Sequence, residues 1–203
     1  MISLTKASRT ALVREIKRLR SELSEKKQEC ANLSADIKKR QHHTGTKTGA
    51  EAERYVQNLF KKGVATHSHS DHDLLVGKCR IEIKASGCLS TSKGSSSKKW
   101  VWHKFRGSGG KKRYHLLVLV GTIDARYRSQ YKSKDSDFVL FAIPYQGVAS
   151  FSAAEQGGTM SLGTNREKLH ATSVLRRRLW DRYHVSPNGL RRMVKGINDT
   201  LEP

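Results

Sequence analysis

Asp73-Leu74-Leu75-Val76-Gly77-Lys78-Cys79-Arg80-Ile81-Glu82-Ile83-Lys84 reads as two short strands joined by a Gly-Lys turn. From Cys79 to Ala85 apolar and polar residues alternate, the period of a half-buried strand. Glu82 and Lys84 therefore share a face. With Gly77-Lys78 as a II′ turn, glycine first, Val76 pairs with Cys79. The ladder then sets Asp73 opposite Glu82, with Cβ atoms roughly 5 Å apart. Facing carboxylates repel unless something positive lies between them. A divalent cation with oxygen ligands suits that place, and Lys84 is the neighbouring proton-handling group.

The composition points to a polyanionic partner. Lys and Arg number 39 against 18 Asp and Glu, a net charge of +21. Chains this basic usually meet nucleic acid. No apolar run approaches 18 residues, so no membrane-spanning helix is expected, and the polar N-terminus does not read as a signal peptide. Cys30, Cys79 and Cys88 form no CxxC pair and leave one cysteine over. That suits a reducing cytoplasm and disfavours a disulfide scaffold or a cysteine-ligated zinc finger.

Outward from the hairpin the sequence divides into three parts. Residues 1–42 form an N-terminal arm, helical from Ser8 to Lys39 without Gly or Pro. Ile16, Leu23, Cys30 and Ile37 are spaced by seven, as are Leu12, Leu19, Lys26 and Leu33, offset by three. This a/d seam predicts a coiled-coil-like homodimer arm; the alternative is a helix packed on its own domain. Residues 43–164 form the core. His42 to Gly49 reads as a linker, and a helix follows from Ala50 to Lys62, stopped by Gly63. After the hairpin, Ser86 to Lys99 reads as a mobile basic loop, and Trp100 to Arg106 as a short element with aromatics. Tyr114 to Val120 and Phe138 to Ile143 are near-continuous apolar runs, expected as central strands covered on both faces. The expected class is α/β, a mixed β-sheet flanked by helices. Residues 165–203 form a basic helical segment. Thr172 to Tyr183 is one helix, and Ser186-Pro187 caps another running to about Ile197.

Gly49, Glu53-Arg54 on a helix, Asp73, Glu82-Ile83-Lys84 on a strand and the apolar strands beyond resemble the PD-(D/E)xK nuclease superfamily, to which type II restriction endonucleases and Holliday-junction resolvases belong. The resemblance covers residues 49 to 145. His72 stands where the motif has proline. The resemblance implies a restriction-endonuclease-like core and a Mg²⁺-dependent endonuclease, with Mn²⁺ as substitute, that cuts double-stranded DNA. It would be cytoplasmic, bacterial or phage-encoded. By it, Asp73, Glu82 and the Ile83 carbonyl hold the metal, Lys84 handles the attacking water, and Glu53 supports the metal through water. Glu51 is a poorer match than Glu53. A homodimer suits cutting of both strands.

Two further resemblances compete or add. His67-Ser68-His69-Ser70-Asp71-His72 matches the HxHxDH zinc motif of metallo-β-lactamase-type hydrolases, with His115, Asp124 and His170 downstream. The helical context upstream is wrong for that fold. Leu179 to Val194 resembles a helix-turn-helix with its turn at His184-Val185. By that resemblance Asn188, Arg191, Arg192 and Lys195 face DNA; alternatively the two basic helices pack on the core and touch only phosphates. Arg176-Arg177-Arg178 suit phosphates in either case. Lys93, Lys98 and Lys99, beside Trp100 and Trp102, read as a further nucleic-acid contact. A DNA-binding protein without catalysis is the alternative from another class.

Overall fold

The structure, a computed structural model, describes residues 13–29, 44–66, 70–92, 95–106, 112–133, 135–151, 158–169 and 174–201. The chain forms two compact units, Met1–Thr46 and Lys47–Pro203. In the first, residues 13–29 are one helix, α1, exposed along its whole length. Arg18 bridges Glu15 and Glu22 one turn away on either side, and Lys26 pairs with Glu29. Such exposed pairs contribute little each. Val13, Ile16, Leu19 and Leu23 are 42–56% exposed. The seam positions Leu12, Cys30, Leu33 and Ile37 lie outside the described residues.

α2 runs Thr44–Asn58. It begins six residues earlier than the sequence suggests. Gly45 and Gly49 each cost a helix only about 1 kcal/mol, which is a penalty and not a stop. Its end, four residues short of Lys62, is a set of tight turns in which Leu59, Phe60 and Gly63 each bond back three residues. Ala52 and Val56 are fully buried against the sheet.

The main sheet has six strands in the order β1-β2-β3-β6-β7-β9. These are β1 (Val64–Ala65), β2 (Leu74–Val76), β3 (Cys79–Ser86), β6 (Leu116–Thr122), β7 (Phe138–Pro144) and β9 (His184–Val185). Among the described residues only β3 and β6 are parallel, from Ile81↔Leu116 to Ser86↔Gly121; the other pairs of this sheet are antiparallel. The sheet is therefore mixed, and β6 and β7 are its buried central strands as their apolar runs suggest.

The segment after Ser86 is not simply a loop. β4 (Leu89–Ser90), β5 (Lys98–His103) and β8 (Thr159–Gly163) form a second antiparallel sheet. Its anchors are Trp100 and Trp102, both fully buried. Their indole N–H groups donate to the carbonyls of Thr122 (2.8 Å) and Val120 (2.9 Å) of β6. The short aromatic element expected from Trp100 is thus the greater part of β5, which starts two residues earlier, inside the stretch read as a loop. Gly121 is required beneath it, since a Cβ there would lie 2.6 Å from the Trp100 ring.

β6 divides the core. Leu117 and Leu119 face Trp100, Trp102, Tyr131, Phe141 and Trp180. Leu116, Val118 and Val120 face α2 and α5 (Pro187–Leu201) through Ala52, Val56, Leu190 and Val194.

This division corrects the reading of the C-terminal segment as a separate helix-turn-helix. β7 runs directly into one short helical turn, α3 (Tyr145–Val148). α4 (Val174–Arg178) continues as a π turn over Leu179–Tyr183, which buries Leu179, Trp180 and Tyr183 in the aromatic half. His184-Val185, the expected turn, pairs with Phe141 and Leu140 as β9. α5 (Pro187–Leu201) then packs on the opposite face of the sheet. Two helices parted by a sheet strand cannot dock together as that motif requires. Ser186 caps α5 as read, its hydroxyl accepting the Gly189 N–H at 3.1 Å. Among the described residues no helix is long and apolar enough to cross a membrane.

Candidate active site

The hairpin register is the one the sequence implies: Leu74↔Ile81, Leu75↔Arg80, Val76↔Cys79. Gly77 has φ +61° and Lys78 has no positive φ, the pattern of a II′ turn. Asn198 of α5 clamps this turn. Its Oδ1 accepts the N–H groups of Lys78 (2.8 Å) and Cys79 (2.9 Å), and its Nδ2 donates to the Val76 carbonyl at 3.0 Å.

Asp73 departs from the simple facing-pair geometry. β2 starts at Leu74. The Asp73 N–H still donates to the Ile81 carbonyl, but Asp73 Oδ2 turns to accept the Ile83 N–H at 2.7 Å. The side chain thus replaces the backbone acceptor that the strand would have supplied. The cation between the carboxylates is Lys84. Its Nζ pairs with Glu82 Oε1, lies 3.8 Å from Asp73 Oδ2 and donates to the Ile83 carbonyl at 3.2 Å.

Glu82 is fully buried, at 0% exposure. Desolvation pushes its pKa above the ordinary carboxylate value, and the charge of Lys84 opposes that rise. Lys112 Nζ lies 2.5 Å from the same Oε1. Glu82 Oε2 is buried with no hydrogen-bond partner among the described residues. The sequence reading missed Lys112. It lies 30 residues from Glu82 and carries no local pattern; only its place just before a strand parallel to β3 could have flagged it.

Glu53, from α2, lines a cleft of about 340 Å³ with Gln57, Ala65, Thr66, Asp73, Leu74 and Ile83. Burial, then the field of Asp73, raises its pKa. Glu53, Asp73 and Ile83 therefore share this cleft, and Glu82 and Lys84 on either side of Ile83 in the middle of β3 adjoin it through the Lys84 contacts to Asp73 and Glu82. Glu51 is exposed and not among the cleft residues.

The residues proposed for zinc fare differently. His67, His69 and His170 lie outside the described residues. His115 Nδ1 accepts the Arg80 N–H at 3.0 Å, and its Nε2 lies 3.3 Å from the Arg80 guanidinium. Asp124 is buried, held by Arg126 and the Thr164 hydroxyl. Burial, then the charge of Arg80, lowers the His72 pKa. His115 and Asp124 are thus committed elsewhere, whereas both ring nitrogens of His72 are buried without a hydrogen-bond partner among the described residues, in the field of Arg80. Among the described residues no three His, Cys, Asp or Glu side chains converge as a metal site. The donor set formed by β3 and the residue ahead of β2 still suits a hard cation. Asp73, Glu82 and the Ile83 carbonyl offer oxygen only, and Glu82 Oε2 is an orphaned acceptor.

The expected DNA contacts do not form one surface. Lys98 and Lys99 are half-buried on β5, and the buried Trp100 and Trp102 cannot stack on bases. Lys93 lies outside the described residues. Arg176 and Arg177 are exposed on α4, on the aromatic face of the sheet, whereas Asn188, Arg191, Arg192 and Lys195 belong to α5 on the other. Arg191 is partly engaged, donating to Asn188 Oδ1 (2.7 Å) and to the Leu59 carbonyl (2.9 Å).

Comparison with family models, with curated proteins and with solved structures finds no match to this chain.

Proposed function

We propose that the chain is a metal-dependent deoxyribonuclease with a restriction-endonuclease-like core, cutting duplex DNA site-specifically in the cytoplasm. The observation that carries this reading is the Asp73–Lys84–Glu82 arrangement at the middle of β3, with Glu53 lining the adjoining cleft. Asp73, Glu82 and the Ile83 carbonyl would hold Mg²⁺ or Mn²⁺, with Glu53 beside them. Bound there, the cation would supply charge neutralisation and a water of lowered pKa. The Lys84 ammonium neutralises charge at the phosphate and orients the water. Burial of Glu82 keeps the local dielectric low, which strengthens each of these interactions. The net charge of +21 attracts the DNA backbone. The exposed Ile16, Leu19 and Leu23 stripe of α1 supports a homodimer, one copy for each strand.

A second reading has its own support. Two ammonium groups on Glu82 are also what a structural ion pair looks like, and a DNA-binding protein without catalysis would then follow. Plasmid DNA incubated with the protein in Mg²⁺, in Mn²⁺ and in chelator separates the two. Metal-dependent nicking lost in Asp73→Ala and Lys84→Ala supports the nuclease. Retention of plasmid without cutting in either metal supports the second reading. Discrete fragments indicate a sequence-specific enzyme, and cutting confined to branched substrates a structure-specific one.

A further inference from the structure

Lys112 is one cation more than Glu82 needs. A buried carboxylate carries one negative charge, and Lys84 already pairs with its Oε1. Lys84 is also fixed from two other sides, by the Ile83 carbonyl and by Asp73. Lys112 has no such framework. It joins Glu82 from outside the hairpin, and Glu82 is its one ion-pair partner among the described residues. Its backbone precedes β6 and follows a glycine-rich sequence, Gly107-Ser108-Gly109-Gly110. Its charge is also felt by Glu53 across the cleft and by His72. A flexible four-carbon stem with a strongly hydrated head can leave such a pair readily.

Resting on the nuclease reading, we propose that Lys112 is a displaceable counter-ion. Its ammonium holds Glu82 where a divalent cation would otherwise bind, and turns to a phosphate oxygen of the DNA once that cation is bound. In the apo site Lys84 and Lys112 together balance the two neighbouring carboxylates, Glu82 and Asp73. Metal binding and substrate binding are coupled through one side chain.

Mn²⁺ binding to the full chain without DNA, followed by the electron paramagnetic resonance of free Mn²⁺, tests this. Lys112→Met should bind Mn²⁺ about tenfold more tightly than the wild type, because the competing ammonium is gone. Arg113→Met removes the same charge from an exposed neighbour that does not pair with Glu82 among the described residues. It should change the affinity less than about twofold. With Mn²⁺ replaced by non-cleaving Ca²⁺, Lys112→Met should bind DNA more weakly, with a salt slope smaller by about one phosphate. Lys112→Gln serves as a second variant should Lys112→Met fail to fold. Mn²⁺ affinity unchanged or weakened in these variants, or raised equally by Arg113→Met, overturns the proposal. If Mn²⁺ binding depends on Asp73 but not on Lys112, the inference alone fails. If the wild type shows no Asp73-dependent Mn²⁺ binding, the nuclease reading fails with it.

Discussion

Asp73 Oδ2 accepts the backbone N–H of Ile83 at 2.7 Å, so a side chain closes the ladder just ahead of Leu74, where β2 begins. The carboxylate therefore has a structural and a proposed catalytic duty. Asp73→Ala leaves a backbone N–H unpaired and should cost about 1–3 kcal/mol. Asp73→Asn keeps an acceptor there and should cost under about 1 kcal/mol. Urea denaturation distinguishes the two. Both should abolish DNA cleavage, so loss of activity in the Asn variant is the chemical effect and not unfolding.

Glu82 should matter more to stability than either lysine. Glu82→Ala leaves two ammonium groups crowded together without their shared partner, each only about a quarter exposed. Breaking a buried ionic cluster in this way costs about 3–5 kcal/mol when the survivors cannot escape, and nearer 2 when they can swing to water. Lys84→Met should cost only about 1 kcal/mol, because Lys112 still compensates Glu82. Equal losses in the two variants, measured by denaturation, would show that Lys112 gives Glu82 no compensation.

Asn198 is remote from the chemistry yet fixes the hairpin that carries it. Asn198→Ala removes three hydrogen bonds, at a net cost of about 2 kcal/mol. Amide exchange at Lys78 and Cys79 should accelerate first, and cleavage should fall with it.

The hairpin was legible in the sequence because Gly77 supplies the positive φ and the alternation from Cys79 fixes the register. β6 and β7 were legible because continuous apolar runs suit few places except a doubly covered strand. Lys112 was not, since a contact across 30 residues leaves no local trace. Nor was β9. Two residues with no periodicity join the sheet only because Trp180 and Leu190 need opposite faces. Asp73 leaving the ladder is a tertiary event that register arithmetic cannot see.

His184 gives the protein an acid-sensitive element apart from the site. It is buried on β9, where its Nε2 accepts the Lys132 N–H, and burial lowers its pKa to about 4. The unfolded chain takes up a proton near pH 6.5, while the folded chain resists until about pH 4. Between those values the unfolded state binds more protons, so stability falls as pH falls, by up to about 3 kcal/mol. His184→Gln, which does not titrate, should show a shallower loss from pH 7 to pH 4 in thermal melts.

The most direct test of the central claim is the single-turnover cleavage of supercoiled plasmid in Mg²⁺ by the wild type and by Lys84→Met. Wild-type protein should nick or linearise the plasmid, and chelator should stop it. Lys84→Met should lose roughly a thousandfold or more in rate, by analogy with the loss of one preorganised charge-stabilising group, while still binding the DNA. A folded wild-type protein that binds plasmid but never cuts it in Mg²⁺ or Mn²⁺, or a Lys84→Met variant that cuts at the wild-type rate, would contradict the account.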